Sequence, residues 1–175
     1  MGAPGRRVQS DWQGTRITKT FDTGEGTMNG NQMKYLSYKE AWGRINIGIE
    51  AGFYFEAVTI CESIISDRLY SYVKGVDPDS SIRARTAFSE LIKKWRQLAT
   101  LLPSDPEHGD LGFAVDAWRK VRNEVVHGLV KSEPGTPTED VGTFLERAEK
   151  AAKDGKALAR KVDDWHKGEL RRARM

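Results

Sequence analysis

Four residues of this chain have types and spacings that could hold an anion and move a proton: Arg122, Asn123 and His127 in one segment, and Glu62 in another. An imidazole has an ordinary pKa of about 6.5, which suits it to take and return a proton near neutral pH. A guanidinium stays charged and offers five N–H donors in a planar fork, so it can grip and polarise a phosphate. Asn123 and His127 are four apart, which places them on one helical face. Arg122 is turned from His127 by about 140° on an ideal wheel. Its long side chain, or a loosened last turn, would have to bring both groups to one phosphate.

Arg122 and Glu62 also break the pattern around them. Leu111, Val115, Trp118 and Val125 share one face of a helix, and Arg122 falls in the middle of it. Glu62 sits on its own wheel among Phe55, Val58, Leu69 and Val73, not with Thr59, Ser63 and Ser66. Arginine is almost never buried without a partner. A misplaced carboxylate and a misplaced guanidinium therefore suggest a pair. The same pattern fits a buried salt bridge with no chemistry, or side chains that snorkel out to solvent. Arg68 lies in an apolar arc too, but near a helix end where snorkelling is easy. His127 ends its helix, where the dipole favours an imidazolium, and a plain histidine near a helix C-terminus is common. His108 and His166 read as surface residues, one in a loop and one on a charged stretch.

The elements that must position these groups read as helices. Residues 1–30 are rich in Gly, Thr, Asp, Asn and Arg and read as a disordered or loosely attached arm. From about Met33, Leu36, Trp42, Ile45 and Ile49 recur at helical spacing, ending near Gly48 to Gly52. A second helix is expected from about Phe53 to Val73, stopped by Gly75. Its wide apolar arc (Phe53, Ala57, Val58, Ile60, Cys61, Ile64, Ile65, Leu69) predicts a central position in a bundle. A turn at Asp77-Pro78-Asp79-Ser80-Ser81 precedes a third helix over about Ile82–Leu101, with Phe88, Leu91, Ile92, Trp95 and Leu98 as its stripe. Pro103 and Pro106 break the chain. The fourth helix is expected from about Asp110 to Val126 or His127, with Gly128 as its stop. After a loop at Ser132–Pro137, a last helix begins near Thr138 and extends to about residue 170, with Val141, Phe144, Leu145, Ala148, Ala152, Leu158, Val162 and Trp165 as its stripe. Residues 171–175 form a basic tip. Strand signals are almost absent, so the fold class is all-α, an antiparallel bundle of four or five helices across residues 31–170.

Composition narrows the classes. The chain has 175 residues, enough to bury a core in one domain. One cysteine, Cys61, allows no intramolecular disulfide, and three histidines with one cysteine argue against a zinc site. Met1–Arg7 is not followed by an apolar signal region, and no apolar run approaches the roughly 18 residues that span a bilayer. The expectation is a protein of the cytoplasm with no membrane partner. A net charge of +3 permits a nucleic-acid partner without requiring one.

Arg122-Asn123-Glu124-Val125-Val126-His127, with Ala117–Val121 before it and Gly128 after it, resembles the R-x4-6-H motif of the HEPN superfamily. The order of helices, with the motif at the end of the fourth, is similar too. The resemblance covers about Met33 to Trp165 as architecture and some ten residues as motif. It implies an HEPN-like bundle that pairs as a homodimer, with two motifs facing across a cleft to form one composite ribonuclease site. Arg122 would bind the scissile phosphate. His127 would move the proton of the 2′-OH or of the leaving oxygen. Asn123 would orient the histidine or the phosphate, and Glu62 would support Arg122. The product would be a 2′,3′-cyclic phosphate, with no metal and no cofactor. The family implies RNA as substrate, a toxin or phage-defence role, and an antitoxin or regulatory protein as partner. One toxin branch carries a tyrosine two residues after the histidine; here that position is Leu129, which departs from the branch.

Two other classes compete with the enzyme. One is an HEPN-like dimerisation or adaptor module without catalysis. The other is a helical nucleic-acid binder that uses its basic arm and tip, for which no helix-turn-helix signature speaks.

Overall fold

Apolar side chains at helical spacing organise the chain into α1 (Gly30–Glu50), α2 (Tyr54–Val76), α3 (Phe88–Leu98), α4 (Leu111–Gly128) and α5 (Val141–Arg172). The computed structural model describes residues 30–128 and 139–173. The fold class over those residues is all-α, a bundle of helices with one short hairpin, β1 (Ser104–Asp105) paired antiparallel with β2 (Gly109–Asp110). The arm before residue 30, the loop at Ser132–Pro137, Leu129, Thr138 and the last two residues of the tip lie outside the described residues.

The wide apolar arc of α2 places it at the centre, packed against each of the other four helices. Ala57, Val58, Cys61, Ile64, Ile65, Leu69 and Val73 are buried along it. Full burial of a Val, Leu or Ile side chain contributes about 1.5–3 kcal/mol. Aromatic contacts tie the distal helices in: Tyr72 and Trp95 pack on Trp165 at 4.7 and 5.2 Å, and Phe55 stacks on Phe144 at 5.9 Å between ring centroids. Only three residues join α1 to α2, and Gly52 turns there with φ +79°, which favours glycine.

Several boundaries differ from the sequence expectation. Gly75 does not stop α2, which runs one residue further and is closed by Asp77, whose N–H donates to the Val73 carbonyl. α3 starts at Phe88, not Ile82. Ser80 resembles an N-cap in the sequence, but it is buried, and its carbonyl accepts from Lys74 Nζ at 2.7 Å. Ile82 is buried in the core from within a non-helical segment. Phe53, Leu36, Val141 and Leu145, expected on apolar stripes, are exposed. No helix among the described residues is long and apolar enough to cross a membrane.

The last two helices follow their caps. Asp110 accepts from the N–H of Phe113 at 2.9 Å and opens α4. Asp140 accepts from the N–H of Thr143 at 3.0 Å and opens α5. Both are N-cap contacts of the expected kind. The hairpin before α4 is anchored by Asp105, which accepts from Lys161 Nζ on α5 at 3.0 Å and from the backbone of Glu107 and His108. Lys161, with His108, holds its carboxyl far below the usual carboxylate range.

Candidate functional site around Arg122

α4 carries the motif, and Trp118 fixes how α4 is turned. Its indole N–H donates to the Ala151 carbonyl on α5 at 2.9 Å. Its ring lies so close to Gly155 that a Cβ there would stand 2.5 Å from Trp118 Cζ2. With Leu111, Val115, Trp118 and Val125 buried, Arg122, one turn beyond Trp118, is directed inward at α2.

There the Arg122 Nε forms an ion pair with a Glu62 carboxylate oxygen, and about one fifth of each side chain is exposed. The Arg122 Nη1 donates to Asn123 Oδ1 at 2.9 Å. A guanidinium has five N–H donors, so further donors remain for an incoming oxyanion. Burial pushes the Glu62 carboxyl above its ordinary range, and the Arg122 charge pulls it back only in part. The structure thus brings Glu62, Arg122 and Asn123 into one polar chain. His127 lies in the last turn of α4 and is exposed. Among the described residues no hydrogen bond or ion pair joins His127 to the other three.

Sequence reasoning missed Arg147. It pairs with Glu139 at 2.6 Å and with Glu124 at 3.9 Å. Its Nη2 also lies 3.8 Å from where a Cβ on Gly128 would stand. A cation therefore borders the turn that carries His127. Its only sequence signal is its place one turn beyond Phe144 on the apolar stripe of α5.

The histidines and Arg68 depart further from the surface reading. His166 is 2 % exposed. His108 is half-buried, its Nδ1 3.1 Å from Asp105 Oδ1. Arg68 does not snorkel: its side chain is 16 % exposed, and its Nε donates to Asp163 Oδ1 at 2.6 Å. Burial likewise pushes the Cys61 thiol up to about 12, which makes it a poor nucleophile at neutral pH. Among the described residues, no three His, Cys, Asp or Glu side chains stand together in a way that could hold a metal ion.

No family model matches the chain, and neither does any curated protein or solved structure.

Proposed function

We propose that this chain is a metal-independent endoribonuclease of the HEPN kind, working as a pair of copies that face each other across their α4 ends. The observation that carries the reading is the Glu62–Arg122–Asn123 chain of contacts one turn before an exposed histidine. Asn123 links the two halves. Its side chain accepts from Arg122, and its position shares a helical stripe with His127.

In this reading Arg122 binds the phosphate and stabilises the charge of the phosphorane. His127 takes the proton of the ribose 2′-OH, whose oxygen attacks phosphorus. The P–O5′ bond breaks, and the departing oxygen takes a proton from a second imidazole. The products are a 2′,3′-cyclic phosphate and a free 5′-OH. One base and one acid are needed, and one α4 end supplies one histidine. A second copy supplies the other, which is the physical reason for pairing. DNA lacks the 2′-OH and would resist. A toxin or phage-defence role, with an inhibitory protein partner, fits such an activity.

The ion pair also favours one other reading. A guanidinium already held by a carboxylate suits an adaptor module in which Arg122 only holds α4 to α2. The deciding experiment incubates the purified protein with mixed RNA in EDTA, beside His127→Ala. Cleavage by wild type, reduced about 10²–10⁴-fold in the variant as removal of a general acid–base does, supports the enzyme. Equal cleavage by both overturns this mechanism. An intact dimer that cleaves nothing supports the adaptor.

A further inference from the structure

A second feature lies on α4, away from Arg122. An open groove of about 580 Å3 runs between α3 and the start of α4, lined among others by Lys93, Arg96, Gln97, Thr100, Asp110 and Asp116. Both aspartates are already engaged. Asp110 caps α4 through the Phe113 N–H. Asp116 is paired with Arg119 at 2.9 Å and with Lys120 at 3.6 Å. Lys93 and Arg96 have no ion pair with a described residue. Instead the Arg96 guanidinium lies over the Phe113 ring, 3.8 Å from its centroid, and Phe113 is 51 % exposed. The groove therefore carries Lys93 and Arg96 against the one carboxylate that has no cation among the described residues, Asp110, and the exposed Phe113 ring stands beside it, stacked on Arg96.

The spacing along α4 connects this groove to the motif. Asp116, Lys120, Asn123 and His127 stand at i, i+4, i+7 and i+11, which keeps them within about 60° of one another on the helix surface. That stripe covers about 17 Å of helix axis. Stacked nucleotides advance about 3.4 Å each along one strand, so the stripe matches about five of them.

We infer that a single strand of RNA lies along this stripe, entering at the α3–α4 groove and reaching the reacting phosphate at His127. Lys93, Arg96 and Lys120 contact its phosphates, and one base stacks on the Phe113–Arg96 pair. Stacking on an aromatic ring needs a base free of its duplex partner, which is why the strand is single. The inference rests on the ribonuclease reading for the strand's far end, and binding tests it separately.

The test uses the full chain with His127→Ala, so that the RNA survives, and a labelled 12-nucleotide single-stranded RNA followed by anisotropy at several salt concentrations. Adding Lys93→Glu and Arg96→Glu should weaken binding at least tenfold and lower the salt slope by about 1.4. Adding Phe113→Ala should weaken it by about fivefold or more with the slope unchanged. Lys39→Glu with Arg171→Glu, on exposed parts of α1 and α5, changes the same total charge and should have little effect. Lys93→Glu alone, at an exposed position, guards against a double variant that does not fold. Equal weakening by the groove and control variants, or no effect of Phe113→Ala, overturns the inference. If wild type leaves the RNA intact while the groove variants still lose binding, the ribonuclease reading fails and the RNA track stands.

Discussion

Glu62 is held between two opposing effects. Burial favours its neutral form, the charge of Arg122 favours its anion, and burial prevails, so its pKa is raised. The pair therefore does more to direct Arg122 than to stabilise the fold. Removing one partner leaves a half-buried guanidinium alone, and Glu62→Ala should cost about 3 kcal/mol, the lower range for broken buried pairs. Glu62→Gln keeps an acceptor without the charge and should cost less than about 1 kcal/mol, the scale of a typical net hydrogen bond. The pH dependence has a definite sign. A raised pKa means that the Glu62 contribution is fully present below its unfolded pKa of about 4.3 and is lost as pH rises through the folded value. Urea unfolding at pH 4, 5.5 and 7 should show Glu62→Gln gaining on wild type as pH rises. A Glu62→Ala loss under about 1 kcal/mol, typical of exposed pairs, would show that Glu62 does not hold Arg122. This half of the site was legible because a charge inside an apolar stripe interrupts a period. Arg147 was not, because its nearness to the end of α4 depends on where α5 crosses it.

Between elements, α4 and α5 approach closely at Trp118 and Gly155. A methyl group on Gly155 would stand 2.5 Å from Trp118 Cζ2 and 2.9 Å from Nε1, and an indole ring has no flexible end to move aside. Helix propensity alone favours Gly155→Ala by about 1 kcal/mol. Overpacking costs typically 1–3 kcal/mol, occasionally more, and should prevail. Gly155→Ala should therefore lower Tm, and Trp118→Phe in the same chain should recover part of the loss. A raised Tm in Gly155→Ala would mean that α4 is not seated by this contact. On the ribonuclease reading, the variant should also cut RNA more slowly, because turning α4 turns Arg122 away from Glu62. The starts of this helix pair were legible to within a few residues, near Asp110 and Thr138 against Leu111 and Val141, and the caps that set them, Asp110 and Asp140, act locally. The sequence announced α3 poorly. Ser80 and Ser81 carry the same cap signature, yet Ile82 is buried in the core from irregular backbone, and the helix begins only at Phe88. Gly75 misled for a related reason: a glycine ends a helix when its backbone turns left-handed, and Gly75 has no positive φ.

At the scale of the whole molecule, the first and last helices are closed on the centre by a polar cluster. Tyr38 on α1 donates to Asp67 on α2 at 2.5 Å, and Lys34 reaches the same carboxylate at 3.0 Å. Arg68 stacks over the Tyr38 ring at 4.0 Å and binds Asp163 on α5 at 2.6 Å, where Lys167 adds a second contact. His166 is buried beside them, and among the described residues its Nδ1 has no hydrogen-bond partner. Its segment, Asp163-Asp164-Trp165-His166-Lys167, reads as surface because three of its five residues are charged. Asp163 is buried nonetheless, because a cation from another helix neutralises it. Burial, then the Arg68 charge, lowers the His166 pKa, and Asp163 and Asp67 offset this only in part. A depressed pKa gives stability that is complete above the unfolded value of about 6.5 and is lost as pH falls through the folded one. Wild type should therefore lose Tm between pH 7 and pH 5. His166→Leu, which keeps an apolar contact and cannot titrate, should lose less over the same interval. His108 and His127 remain in both proteins, so the difference between the two curves isolates His166. Equal losses would mean that protonating His166 does not strain the α1–α2–α5 junction. A smaller loss in the variant would mean that acid loosens the bundle from this junction.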